Sequence, residues 1–335
     1  IPRSYMWFIC FLHHPKIGGI LSMKKINLLL GLLGLLIFLG IIWFSEPSKI
    51  LPIIYNSKVE FILLGLLLFT ANIFLRVVKW KVLLKDVDLR GLLPVQFLGL
   101  SISNLTPGKV GEPVKAVLLK MRYDINVSES LPSIMWERVM DLVVLILLAA
   151  VGIATISISN DILYLGVAST LIFLSVILLT ILGLKSKNFG LKMFSIVRKL
   201  PLFNRLSDKF METFYDVKIK KRNLVKCFLI TLVVWLLDGI TFSLAFMAIG
   251  VSINPLLMAG ILSLSVLIGI ASFLPGGVGT TEVSMALLLG LVGVEGSLAL
   301  AGIIIARVIT FWYGNLIGGL SFIHLSRKFD IKKLV

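Results

Sequence analysis

Two short stretches pair a glycine-rich break with an arginine and a glutamate, a set suited to gripping an anion. Pro275-Gly276-Gly277-Val278-Gly279 interrupts a long apolar run, and Pro107-Gly108-Lys109-Val110-Gly111 repeats its Pro-Gly-x-Val-Gly pattern. Proline and clustered glycine cannot continue a helix. A helix that restarts after such a break points free N–H groups and partial positive charge into it, which favours phosphate or carboxylate. Each copy is followed by an Arg-Val pair: Arg138 lies 27 residues past Gly111, and Arg307 lies 28 past Gly279. The copies are offset by 168 at the motif and by 169 at the arginine, so the two landmarks mark an internal repeat.

The candidate lipid-phosphate ligands are therefore Gly108, Lys109, Gly111 and Arg138 from the first copy and Gly276, Gly277, Gly279 and Arg307 from the second. A glycine-rich packing joint between helices is the plainer alternative. Five carboxylates are candidates for charge coupling: Glu112, Glu137, Asp141, Asp238 and Glu282. Charge is costly inside a bilayer, about 2.5 to 3.5 kcal/mol per residue on insertion scales, so each should face a partner or a cavity. Arg307 is expected to meet Asp238 or Glu282, and Arg138 and Asp141 can pair at i, i+3. Glu112 and Glu282, just past their breaks, can cap the new helix, repel and release a phosphate, or carry protons. Glu137 and Asp141 sit near the inside interface, where plain solvation is the alternative. The first break is not a nucleotide P-loop, because it lacks Gly-Lys-Ser/Thr and a preceding strand. Cys10 and Cys227 have no metal or disulfide spacing, and no paired-aspartate motif, Cys/His cluster or nucleophile–base set is visible. No catalytic residue, metal or cofactor is expected.

The elements that must position these residues are membrane helices. Hydrophobic residues make up 58% of the 335-residue chain and charged ones 15%, with a mean hydropathy of +1.03. Soluble proteins carry about 25% charge. The net charge of +16 sits in short segments between apolar runs, the pattern of cytoplasmic loops rather than of a nucleic-acid surface. Residues 1–22 look like an upstream extension, with translation expected to begin at Met23 and 23–335 forming one membrane domain. Segment 26–44 is uncharged and, at about 1.5 Å per residue, just spans about 30 Å of hydrocarbon. Further spans are expected at 59–80, 133–158, 162–184, 228–250 and 297–325, with a nearly neutral outside loop at 46–58. Segments 92–121 and 256–292 read as re-entrant hairpins, each an apolar helix, a glycine break and a short return helix. Segment 185–226 holds 12 Lys/Arg against 3 Asp/Glu with aromatic residues at helical spacing. It reads as an amphipathic pair on the cytoplasmic surface, bound to lipid or docked on the protein's own loops.

The fold class is thus an all-α polytopic membrane protein of about six full spans plus two re-entrant hairpins. Charge bias runs the first span of repeat one (59–158) from outside to inside and that of repeat two (227–326) the other way, with both termini cytoplasmic. The repeats are then inverted, the plan of transporters whose sites sit at broken helices.

Four motifs carry a resemblance: Pro-Gly-Lys-Val-Gly-Glu-Pro-Val-Lys-Ala at 107–116, Trp-Glu-Arg-Val-Met-Asp at 136–141, Phe-Leu-Pro-Gly-Gly-Val-Gly-Thr-Thr-Glu at 273–282 and Arg-Val-Ile-Thr-Phe-Trp at 307–312. In this order they resemble the transmembrane region of lysylphosphatidylglycerol synthases and the UPF0104 flippase-like membrane proteins. The resemblance implies lipid flipping, and it carries the membrane part without the aminoacyl transfer. The expected activity is movement of an anionic or polyprenyl-phosphate-linked lipid between leaflets of the cell membrane, and not an enzymatic reaction. A membrane-embedded transferase and an ion-coupled carrier of a small anion are the alternatives. Expected partners are the lipid substrate and the bilayer, with no nucleic acid, and a homo-oligomer or a separate lipid-modifying enzyme.

Overall fold

The computed structural model describes residues 47–155 except 85, 86, 107 and 110, isolated positions between 175 and 187, and residues 208–327. The expected spans 26–44 and 162–184, residues 1–22, most of the basic segment and the last residues of the chain lie outside these. Among the described residues every regular element is a helix. In order they are α1 (Pro47–Tyr55), α2 (Val59–Leu83), α3 (Leu89–Leu105), α4 (Val114–Tyr123), α5 (Val127–Thr155) and α6 (Asp208–Asp216). There follow α7 (Lys221–Ala248), α8 (Pro255–Ala271), α9 (Thr280–Leu291), α10 (Gly296–Arg307), a π-helical turn (Val308–Trp312) and α11 (Tyr313–Ser326).

Among the described residues, three helical stretches are long and apolar enough to cross a membrane: Val59–Leu83, Lys221–Ala248 and the continuous run Gly296–Ser326. α2 explains why. Phe69, Ile73, Val77 and Trp80 recur at helical spacing and bury one face, while Leu63, Leu67 and Phe74 lie exposed on the other. A helix apolar all round is stable only where its outer face meets lipid. The two short apolar helices α8 and α9 flank the second glycine break.

Local chemistry sets the helix ends. Asn254 caps α8, its side-chain oxygen accepting from Leu256 N–H at 2.9 Å, with Pro255 in the first helical position, where a missing N–H costs nothing. Asp88 caps α3 by accepting from Gly91 N–H at 2.8 Å. Two expectations change. The presumed loop 46–58 contains α1, whose Ile50 is buried against Leu300 and Ala301 of α10, so packing overrides a turn-like composition. α5 begins at Val127, with Pro132 inside its early turns instead of ahead of them; Ser133 Oγ donates to Ser130 O at 2.6 Å there.

Packing runs reciprocally. α2 lies along α7, α5 along α8, and α11 along α3. Small residues set how close they come. A Cβ on Gly152 of α5 would lie 2.7 Å from Gly260 Cα of α8, and one on Gly318 of α11 would lie 2.2 Å from Ser101 Cβ of α3. Within the described part of the basic segment, α6 packs against α5 and buries Phe214. That is docking on the protein's own surface.

Candidate functional site

The first break turns through two consecutive left-handed residues, Gly108 (φ +56°) and Lys109 (φ +58°). Left-handed backbone is unusual for a side-chain-bearing residue. Thr106 Oγ1 closes the turn by accepting from Gly111 N–H at 2.9 Å, while Lys109 N–H donates to Thr106 O at 3.2 Å. The second break holds Gly276, Gly277 and Gly279 at φ +63°, +65° and +88°. Gly277 and Val278 donate N–H to Leu274 O and Pro275 O, and Gly279 N–H donates to Glu282 Oε2 at 2.7 Å. Glu282 therefore takes the capping role, and Glu112 does not. The amides of Gly111, Gly277 and Gly279 are spent inside their own turns.

The two breaks meet. A Cβ on Gly276 would stand 2.6 Å from the Phe311 ring and 2.9 Å from Asn104 O, and one on Gly108 would stand 3.1 Å from the Phe273 ring. Between them lies a cavity of about 50 Å3, lined by Gly108, Lys109, Gly276, Gly277, Arg307 and Asn104 among others. A water needs about 10 to 15 Å3 of such space, so there is room for a few waters.

Among the described residues the buried ion pairs fall into three groups. In the first, six charges form a closed alternating ring. Lys79 pairs with Glu137 (3.2 Å) and Asp141 (2.7 Å), Lys115 with Glu137 (2.6 Å) and Glu112 (2.9 Å), and Arg138 with Glu112 and with Asp141 (2.8 Å). Every charge has two neighbours of opposite sign. Lys79, Lys115 and Glu137 are each 0% exposed, so Glu137 and Asp141 are not solvated at an interface. Trp235 Nε1 donates to Asp141 at 3.3 Å, and Lys115 Nζ sits 4.5 Å over the Trp80 ring. In the second group Arg76 binds Asp238 at 2.5 Å and Asn72 Nδ2 donates to Asp238 at 2.6 Å. In the third, Arg307 Nε binds Glu282 at 2.5 Å, and its buried Nη2 has no hydrogen-bond partner. Of the two acids expected for Arg307, Glu282 is the one it meets.

The sites read from sequence thus divide. Gly108, Lys109, Gly276, Gly277 and Arg307 share the cavity, with Gly111 and Gly279 shaping the turns on either side. Arg138, Glu112, Glu137 and Asp141 belong to the ring instead, and Asp238 to its own pair. Sequence reasoning missed Lys79, Lys115 and Arg76 as buried partners, Asn72 beside the Arg76–Asp238 pair, and Asn104 and Phe311 on the cavity wall.

Residues 31–318 match the family model described as the lysylphosphatidylglycerol synthase TM region. The chain belongs to this family. It is similar to a UPF0104 membrane protein of Pyrococcus horikoshii, 27% identical over 89% of this chain and 96% of that protein. A UPF0104 membrane protein of Methanothermobacter thermautotrophicus is 30% identical over 86% of this chain and 90% of its own length. The glycosyltransferase AglD of Haloferax volcanii is 23% identical over 78% of this chain, and the match spans 48% of that protein. With its apolar helices, this member of the family is a multi-pass membrane protein.

Proposed function

We propose that the protein moves an anionic lipid between the leaflets of the cell membrane, its phosphate held at the joint of the two breaks. The observation that carries this reading is the shared cavity: two broken helices from distant parts of the chain meet there, and Lys109 and Arg307 both line it. Buried irregular backbone with excess positive charge is what an anion needs at mid-membrane. The glycines leave room for backbone to approach the ligand, the two cations supply charge, and the lipid tails stay in the bilayer. Because the cavity is small, transport requires the breaks to separate.

Inverted repeats fit the same reading. α5 packs on α8 as α11 packs on α3, so the last span of each half lies on the first hairpin helix of the other. Each half also joins the glutamate after its break to the arginine of its last span, Glu112 to Arg138 and Glu282 to Arg307. Such a plan lets one half rock against the other around a central site. Both termini would then be cytoplasmic.

The test is a flipping assay in proteoliposomes with labelled phosphatidylglycerol and labelled polyprenyl-phosphate lipid. Rates above those of empty vesicles, lowered by Arg307→Met, are expected. Rates equal to those of empty vesicles for both lipid types would remove the proposal. Covalent change of a lipid in the same vesicles would favour a transferase, and gradient-driven uptake of a small anion would favour a carrier.

A further inference from the structure

We propose that the joint selects lipids whose phosphate is a monoanionic diester and rejects phosphomonoesters at neutral pH; the inference rests on the transport reading above. It comes from the charge inventory of the interior. Among the described residues Arg76 is matched by Asp238, the ring of Lys79, Lys115 and Arg138 by Glu112, Glu137 and Asp141, and Arg307 by Glu282. These cancel. Lys109 remains, half-buried and in no salt bridge with any described residue, on the wall of the cavity. The groups that face a ligand there are Lys109, Arg307 and, behind Arg307, Glu282; Arg76, Asp238, Arg138, Glu112 and Asp141 also act on Lys109, each from within a pair or ring whose charges balance. Their sum is one positive charge.

A phosphodiester carries one negative charge and neutralises that sum. A phosphomonoester carries about −1.5 to −2 at pH 7, its second pKa lying near 6. It would leave up to one uncompensated negative charge buried beside the Glu282 carboxylate, and unpaired charge at this depth is strongly disfavoured. Glu282 thus sets the number of charges the joint accepts, as well as capping α9. It also supplies a switch: Glu282→Gln keeps an oxygen that can accept from Gly279 N–H while raising the sum to two, which suits a dianion.

The experiment is a flipping assay with four labelled lipids in two by two arrangement. The tail is diacylglycerol or polyprenyl, and the head is a diester (phosphoglycerol or phosphohexose) or a monoester. The tail arms show whether a glycerolipid or a prenyl lipid is the source of the phosphate, and the head arms test the charge rule. At pH 7.5 the diester is expected to move at least about tenfold faster than the monoester on whichever tail is carried, in line with the cost of one buried charge. At pH 5.5, where the monoester becomes largely monoanionic, the gap should shrink severalfold in the wild-type protein, with no mutation involved. Glu282→Gln should reverse the preference at pH 7.5. Equal or faster movement of the monoester by wild type at pH 7.5 overturns the charge rule and leaves transport standing. No movement in any arm overturns both.

Discussion

The two glycine breaks are built on one pattern and set in opposite electrostatic surroundings. Around the first, six charges from the segment before α4 and from α2, α4 and α5 close into a ring in which each is doubly paired and all but Arg138 are almost fully buried. Around the second, one pair, Glu282 and Arg307, joins α9 to α10, and one guanidinium nitrogen is left without a partner. A closed ring resists change, because withdrawing any member strands two others in low dielectric. A single pair beside a cavity gives way more easily. On the proposal above, the ring behind the first break holds the structure together, while Lys109 and the Arg307 pair, which border the cavity, are left to meet a ligand.

The strongest way to break this comparison is to open the ring. Glu137→Gln leaves Lys79 and Lys115 each short of a partner, and should cost about 3 to 5 kcal/mol in denaturant unfolding in detergent. Cutting the second joint with Glu282→Ala should cost less, about 1.5 to 3 kcal/mol, the worth of hydrogen bonds to charged groups. Equal losses at the two sites would erase the distinction. A third comparison uses the glycines. Gly276→Ala drives a methyl to 2.6 Å from Phe311 at φ +63°, whereas Gly108→Ala meets only the Phe273 ring, at 3.1 Å, at a similar φ. The first should lose about 1 to 3 kcal/mol and the second about 1 kcal/mol, read from thermal unfolding.

A smaller effect is expected at the helix cap outside the membrane-spanning segments. The Gly91 N–H and the Tyr123 hydroxyl hold the Asp88 carboxyl below its ordinary pKa. A carboxylate with a depressed folded pKa stabilises above its unfolded value, and the gain is lost as pH falls through the folded one. Asp88→Ala should therefore lower Tm slightly at pH 7, and the two proteins should converge in acid. The smallest effect on stability belongs to Lys109→Met, within about 0.5 kcal/mol, because no described salt bridge is broken. Movement of anionic lipid should nevertheless fall sharply, which separates holding a fold from holding a ligand.

The second joint was far more legible in the sequence than the first. Glycine and proline mark both breaks, helical spacing gives Arg138 with Asp141, and Glu282 was one of two acids expected for Arg307. The ring was hidden, because its links join residues far apart in the chain: Lys79 reaches Glu137 and Asp141 of α5, and Lys115 reaches Glu137 from α4. In a linear reading Arg76 and Lys79 look like the basic flank of a span, where lysine and arginine commonly reach for water. Nothing local distinguishes such a cation from one turned inward to an acid. Likewise α1 is helical because of α10, a contact that its own nine residues do not announce.

The π-helical turn at Val308–Trp312 follows Arg307 directly, and the Phe311 ring lies 5.6 Å from the guanidinium carbon. Such a turn holds one residue more than an α-helical turn needs. That extra residue is slack wound into an otherwise continuous rod. Taking it up would swivel α11 by roughly 100°, the angle of one residue, without severing the chain's path across the bilayer. The last span thus carries, beside the arginine that lines the cavity, the means to change which of its faces looks inward.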